Sequence, residues 1–192
     1  MPVEHDALAR KGPIGPGAGG STNESRALRS VLGTFVTGVT VITTLDDEQR
    51  RHGLTANSFS SVSLDPPLIL WCQALASPSH PTFRAARRFA VNILAEDQVE
   101  VATRFARSDV DRFAGVPVRD GLEGVPLIEG CAAWLECETV AVMPGGDHAV
   151  FLARVDRMLP SDRAPLAFGR GRYLGTHPLP DARRAQPSQV TP

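Results

Sequence analysis

Five histidines stand at positions 5, 52, 80, 148 and 177, never three or four apart with a carboxylate on one predicted helix, so the sequence carries no zincin-type motif. It also lacks a Gly-x-Ser-x-Gly elbow, a phosphate-binding P-loop and a Gly-x-Gly-x-x-Gly between strand and helix; the glycines from 15 to 20 have neither neighbour. Cys72, Cys131 and Cys137 are too few and too scattered for a disulfide framework, and no pair has zinc-knuckle spacing. They read as small buried hydrophobes in a reducing compartment. What remains is a tract of short hydroxyl and amide side chains, Thr55-Ala56-Asn57-Ser58-Phe59-Ser60-Ser61-Val62-Ser63, on a predicted strand where packing residues are the rule. Small polar side chains leave room for a ligand, and beside backbone N–H groups they can cradle a flat heteroaromatic with a phosphorylated tail. The same tract also reads as the serine-rich outer face of a barrel.

Other elements must hold that tract in place. Leu28, Val31, Leu32 and Phe35 recur at helical spacing between Glu24 and Phe35, with Asn23 or Ser25 as caps and Gly38 soon after, which predicts a short amphipathic opening helix. Val39 to Leu45 is β-branched and Gly53 to Val62 resumes extended character, so the two form a hairpin. Leu64 to Pro67 is a turn, and Leu68 to Gln73 is a continuous apolar strand expected to be buried on both faces. Helices are predicted over Pro81 to Arg88 and Glu96 to Ala106, the second with Val99, Ala102, Thr103 and Ala106 on one side; the strand Phe89 to Leu94 lies between them. Arg107 to Gly124, broken by Gly115, Pro117 and Gly121, reads as a surface excursion. A second hairpin, Ala132 to Met143 and His148 to Met158, turns at Pro144-Gly145-Gly146-Asp147, and Leu166 to Phe168 with Arg172 to Leu174 make a last short strand. About six strands and two or three short helices, without βαβ alternation, predict a mainly β fold, an antiparallel Greek-key barrel with peripheral helices.

The chain has 192 residues, 42% hydrophobic, enough for one domain with a sizeable core. Its 20 basic and 21 acidic residues leave a net charge of −1, which gives no electrostatic case for nucleic acid or an anionic membrane. Lys11 is the only lysine, a bias that genome composition explains as readily as bidentate anion contacts. Without a signal-peptide core or an apolar run of roughly 18 to 20 residues, a soluble cytoplasmic protein is expected. Residues 1–23 and 176–192 read as disordered tails around a domain at 24–175, with Trp71 and Trp134 in its core.

Four blocks, Leu28 to Thr44, His52 to Leu70, Arg88 to Asn92 and Gly146-Asp147-His148, run in this order between residues 25 and 174. Together they resemble the short-chain flavin reductases, the reductase components of two-component flavin-dependent monooxygenases. The resemblance implies an FMN-binding split β-barrel, a homodimer that binds FMN or FAD near the subunit interface. It further implies hydride uptake from NADH or NADPH and supply of reduced flavin to a partner monooxygenase. A non-catalytic flavin-binding protein on the same barrel, or a flavoenzyme acting directly on an organic substrate, is the alternative.

The resemblance also implies where the cofactors lie. Thr37, Gly38, Val39, Thr40 and Val41 match the strand whose backbone passes the isoalloxazine, and Gly38 reads equally as a helix C-cap. Thr55, Ala56, Asn57, Ser58 and Phe59 match the segment along the ring and ribityl chain; of Ser60 and Ser61, strand alternation turns one away. Ser77 and Ser79 stand where relatives bind the flavin phosphate at a helix start, although Pro78 and Pro81 around Ser79-His80 depart from the common pattern. His80 keeps a family position and reads equally as a solvent-exposed cap. Arg88, Phe89 and Ala90 end the phosphate site, with Arg87 or Arg88 as its cation. His148 matches a residue associated with the nicotinamide nucleotide, Asp147 reads as a turn residue serving backbone donors, and Tyr173 with Arg170 and Arg172 closes the site. No catalytic side chain is implied, because the cofactors carry the hydride chemistry.

Overall fold

The computed structural model describes residues 22–179; of the expected tails, 1–21 and 180–192 lie outside the described residues, and the helix already begins at Thr22, two residues inside the first. The elements are, in chain order, α1 (Thr22–Leu32), β1 (Thr37–Gly38), β2 (Thr40–Leu45), β3 (Arg51–Ala56), β4 (Ser60–Leu64), β5 (Pro67–Ala74), α2 (His80–Ala85) and β6 (Arg88–Ile93). There follow α3 (Val99–Phe105), β7 (Val118–Asp120), β8 (Pro126–Ile128), β9 (Ala133–Gly145), β10 (His148–Pro160), β11 (Ala167–Gly169) and β12 (Arg172–Leu174). Twelve strands replace the expected six, because several are only two or three residues long and carry no readable period.

Seven strands form one antiparallel sheet in the order β3-β2-β6-β9-β10-β5-β4. Its two edges, β3 and β4, are consecutive in the chain, and no ladder joins them. The result is a mainly β barrel split along one seam. β2 (Thr-Val-Ile-Thr-Thr-Leu), paired on both sides by β3 and β6, is β-branched and almost wholly buried, as its stiff side chains favour. On one side of the sheet Val41, Ala90, Leu94 and Trp134 pack against Ala102 and Phe105 of α3. On the other, Trp71 stacks on Phe151 at 4.5 Å and meets the edges of Phe83 and Phe89 at 5.4 and 5.7 Å. Asn92 links the layers, donating to Val41 O and Thr43 Oγ1 and accepting from the Ile128 N–H. Burial pushes the Cys131 and Cys137 thiols up to about 12, so neither is a nucleophile at neutral pH.

Several sequence expectations are corrected. The extended run expected from Gly53 to Val62 is two strands on opposite edges, β3 and β4, separated at residues 57–59. β5 is not buried on both faces: Ile69, Trp71 and Gln73 point inward and the residues between them are half-buried. α3 buries Ala102 and Phe105, whereas Thr103 and Ala106 are exposed. The excursion from 107 to 124 carries β7 and sends Phe113, Val116 and Val118 against the core. Gly38 caps no helix, since α1 stops at Leu32 and Gly33 makes its last backbone bond, to Arg29 O. The apolar residues of the opening helix, Leu28, Val31 and Leu32, are exposed, as is Phe35 beyond its end.

The start of β6 is locked by charge. Arg87 and Arg88 both pair with Glu123, Arg88 with Asp156, Asp156 with Arg154, Arg154 with Glu138, and Glu138 with Arg87, a closed ring of alternating sign with contacts of 2.5 to 3.0 Å. Arg88 hydrogen bonding holds the Glu123 carboxyl below its usual range, and Arg154 does the same for Asp156. A carboxyl whose pKa is lowered by folding contributes stability that is present above its unfolded value, 4.5 for Glu and 3.8 for Asp, and is lost as pH falls through the folded value. Stability therefore drops on acidification through and below that window. Arg88→Met, which leaves Asp156 without its least exposed partner, is expected to cost about 1–3 kcal/mol at pH 7 and to flatten the acid limb. Urea midpoints measured against pH test both; an acid limb as steep as that of the wild type counts against the ring.

Candidate functional site

β3 ends at Ala56 and β4 begins at Ser60, and the three residues between carry the chain across the seam. Ser58 fixes this crossing. Its Oγ donates to Cys72 O at 2.8 Å and accepts from the Cys72 N–H at 3.0 Å, giving the end of β5 the partner that β4 does not supply there. Asn57 is exposed, and no hydrogen bond engages its amide among the described residues. Phe59 is half-buried against the barrel core. Ser60 and Ser61 are both exposed, against the expected alternation, because β4 is an edge strand.

The ladder of β2 and β3 sets the first block beside the second, Thr40 opposite Ala56 and Val41 opposite Thr55. Hydroxyls that looked available for a ligand are engaged in the fold: Thr40 Oγ1 donates to Ala56 O at 2.7 Å and Thr55 Oγ1 to Ala102 O at 2.6 Å. Val39 and Val41 also serve the core. Their side chains are buried, Val39 bonds Leu166 O and Leu94 N, and Val41 O accepts from Asn92. Two features do fit a planar ligand close to the backbone. Thr37 Oγ1 is buried without a partner, and the space where Gly38 would carry a Cβ is open to 4 Å.

Past the crossing, the end of β5 and the loop after it build a buried polar knot. Gln73 Nε2 donates to Ser79 Oγ at 3.2 Å, Ser77 Oγ lies 3.1 Å from Ser79 Oγ, and Gln73 Oε1 accepts from His80 Nδ1 at 3.1 Å. His80 is therefore buried and bonded, not a solvent-exposed cap. Gln73 was missed because it sits in an otherwise apolar run. Its one signal is an amide at an inward position of the strand.

Arg88 is not on the Ser77–Ser79 loop: its guanidinium joins Glu123 and Asp156 in the ring described above. Phe89 and Ala90 are core residues, the first against Trp71 and the second facing α3. A different arginine, Arg112, shares a cavity of about 340 Å³ with Ser79 and Thr82. Sequence reasoning passed over it as part of a polar excursion.

His148 begins β10 opposite Ala74, and the adjoining turn is tied to the loop by the Leu75 N–H donating to Asp147 O at 2.9 Å. Besides a backbone hydrogen bond of its own turn, the Asp147 carboxylate meets the next side chain. Its Oδ1 lies 2.7 Å from His148 Nδ1, and because a carboxylate accepts only, the Nδ1 proton points to it and Nε2 is left as the outward group. That bond also holds the Asp147 carboxyl below its usual range. Tyr173 is half-buried, edge-on to Phe168 at 5.4 Å. Arg170 and Arg172 beside it are exposed.

Comparison with known proteins adds four findings. Residues 32–177 match the model of the flavin reductase like domain. The chain is 44% identical over 154 residues to the reductase component of the flavin-dependent trigonelline monooxygenase of Acinetobacter baylyi, a match spanning 80% of this chain and 50% of that protein. It is 42% identical over 158 residues to the reductase subunit HsaB of a flavin-dependent monooxygenase of Mycobacterium tuberculosis, covering 81% of this chain and 84% of the other. Among solved structures, the NADH:FAD oxidoreductase of Streptomyces globisporus in complex with NAD and FAD fragments superposes with a TM-score of 0.76 at 40% identity, over 83% of this chain and 96% of that one. The chain spans about half the length of the first curated relatives it matches.

The Ser58 bridge generates a local prediction. Ser58→Ala leaves two backbone groups of Cys72 without a partner, which is expected to lower stability by about 1–2 kcal/mol and to speed hydrogen exchange at the Cys72 amide. Unchanged exchange at that amide in the variant would show that the hydroxyl does not hold the seam.

Proposed function

We infer the activity of this chain from one premise: it belongs to the flavin reductase-like family. We propose that it is an NAD(P)H-dependent flavin reductase that passes a hydride from NADH or NADPH to FMN or FAD and supplies the reduced flavin to a partner monooxygenase. What supports the reading is the meeting of the two ring blocks, Thr37–Val41 and Thr55–Phe59, on paired strands whose outlet is Asn57, with the His148 turn bound to the loop after β5.

A bound flavin would supply the redox chemistry, as hydride acceptor from the nicotinamide nucleotide. The chain's own groups orient and enclose. Asn57 offers an amide free to hydrogen-bond ring edges, Thr37 Oγ1 is a donor in need of an acceptor, and Gly38 lets a ring approach the backbone. Asp147 fixes the imidazole of His148 so that Nε2 faces outward toward a second nucleotide. None of these groups has to move a proton for hydride transfer.

We further infer a homodimer, because Leu28, Val31, Leu32 and Phe35 form an apolar face that one chain leaves in water, Phe35 at 77% exposure. Light scattering at micromolar concentration is expected to give about twice the 20.5 kDa of one chain, and a monomer mass overturns this part of the reading.

The enzyme assay follows directly. Purified protein with NADH and excess FMN or FAD should oxidise NADH through many turnovers; stoichiometric flavin binding without turnover would favour a non-catalytic flavin binder. Asn57→Leu is expected to weaken flavin binding by roughly 5-fold or more, read by fluorescence quenching. His148→Ala should lower kcat/KM for NADH by roughly 5- to 150-fold while flavin affinity barely moves. Unaltered NADH kinetics in a folded His148→Ala protein would leave that residue an ordinary turn histidine.

A further inference from the structure

A second concentration of charge lies between α1 and the turn that joins β11 to β12. Residues 26, 29, 30 and 33 recur at helical spacing, so Arg26, Arg29, Ser30 and Gly33 share one side of the opening helix and the turn that ends it. The hairpin tip rests against that side: the Arg170 N–H donates to Gly33 O at 2.6 Å, and a Cβ at residue 33 would stand 3.8 Å from the Arg170 Cα. Between them is a cavity of about 510 Å³ whose walls hold three arginines, Arg26, Arg29 and Arg170, with two hydroxyl residues, two glycines and no acid. Arg50, Arg87, Arg88, Arg154 and Arg163 all hold carboxylates. Among the described residues these three do not, and the partner of the Arg26 guanidinium is the neutral amide of Asn23 at 3.4 Å.

The third arginine is held there against backbone preference. Gly169 pairs with Arg172, so Arg170 and Gly171 are the two turn residues, and both have positive φ, 49° and 74°. Such a turn favours Asn, Asp or Gly at its first position, and a long side chain in the left-handed region carries a conformational cost. What Arg170 contributes in return is a third guanidinium over the cavity. Three like charges around one space repel one another until an anion enters. The walls carry no aromatic or apolar side chain, which suits a charged group and not a ring. A phosphomonoester brings about 1.5 to 2 negative charges on three terminal oxygens, one for each arginine, whereas a pyrophosphate link spreads fewer free oxygens over two phosphorus atoms. The cavity also flanks the nicotinamide turn. The charge of Arg29 helps to hold the Asp147 carboxyl below its usual range, and Asp147 is the residue that orients His148.

We propose that Arg26, Arg29 and Arg170 receive the 2′-phosphate of NADPH by charge-assisted hydrogen bonds, so that this chain selects NADPH over NADH. The inference rests on the flavin reductase reading, which by itself leaves the choice of nicotinamide nucleotide open. Both dinucleotides deliver the same hydride, and the 2′-phosphate is remote from the reacting carbon. Discrimination therefore comes from binding and is expected in KM, with kcat alike for the two. The planar forks of arginine suit the oxygens of a terminal phosphate in a way that a point charge does not.

The test has a kinetic arm and a binding arm, both on the full chain. With saturating flavin, the wild type is expected to show a KM for NADPH roughly 10- to 100-fold below that for NADH. In Arg29→Gln the two KM values converge through loss of NADPH affinity, while the KM for NADH stays in place. Arg170→Asn puts a residue at ease in the left-handed turn, so the hairpin is kept, and the same convergence is expected. Equal KM values in the wild type, or an unchanged ratio in both variants, overturn the proposal. The binding arm needs no turnover. Calorimetric titration with 2′,5′-ADP and 5′-AMP, which differ only in the 2′-phosphate, is expected to give the first a roughly 10-fold or tighter advantage that Arg29→Gln removes. Equal affinities in the wild type reject the site. If 5′-ADP binds as tightly as 2′,5′-ADP, the cavity reads pyrophosphate and the assignment to the 2′-phosphate fails. A wild type that oxidises neither dinucleotide fails at the earlier step, the flavin reductase reading, and the 2′,5′-ADP titration still decides the cavity.

Discussion

A single hydroxyl spans the seam of this barrel. β3 and β4 follow one another in the chain yet stand at opposite edges of a seven-stranded sheet, so the three residues between them must carry the backbone across a gap that no ladder closes. An open edge there would leave the Cys72 N–H and carbonyl without partners, a cost comparable to losing two hydrogen bonds. Ser58 Oγ meets both, as donor and as acceptor. Valine, the residue that strand propensity favours, can do neither. Because the crossing is pinned at residue 58, Asn57 is held on its outer side and Phe59 goes to the core, and the end of β5 becomes the point from which the Gln73 knot and the His148 pairing start.

Charge is divided with the same economy. Nearly all basic residues here are arginines, and a guanidinium can serve two carboxylates at once. Arg87, Arg88 and Arg154 do so, closing a ring with three acids that ties β6 to β9, β10 and the turn at Leu122–Gly124. Its members are drawn from residues 87 to 156, and cooperative geometry of this kind stabilises more than isolated surface pairs. Arg112, by contrast, is held by the carbonyl oxygens of Arg107 and Gly53, with no carboxylate partner among the described residues.

The sequence made parts of this legible for definite reasons. The β9–β10 hairpin and its turn at Gly146-Asp147 were readable because both strands are long and the turn residues are distinctive; β2 was readable because its β-branching is continuous. The four blocks gave the family, and the comparisons agree with it. The break at 57–59 was not readable, because a run of small polar residues has the same local pattern whether it pairs with one neighbour or leaves one for another. The carboxylate partners of Arg88 were not readable for a related reason. Nothing near it in sequence shows Glu123 or Asp156, which lie 35 and 68 residues away. The packing of the 107–124 segment was hidden by composition, since Phe113 on Phe105 turns an apparently polar loop into a wall.

These assignments change what the serine- and threonine-rich tract does. Read alone, it looks like a row of ligand donors. In the fold, Thr40, Thr55 and Ser58 direct their hydroxyls to carbonyls at Ala56, Ala102 and Cys72, so the tract is first a device for satisfying backbone where strands end and cross. Larger apolar side chains would leave those carbonyls unmet and fill the space above them; larger polar ones would not fit against Phe105 and the β5 edge. Short hydroxyls meet both demands at once. Beside them, among the described residues, Asn57 is exposed with no hydrogen bond on its amide and Thr37 Oγ1 is buried without a partner.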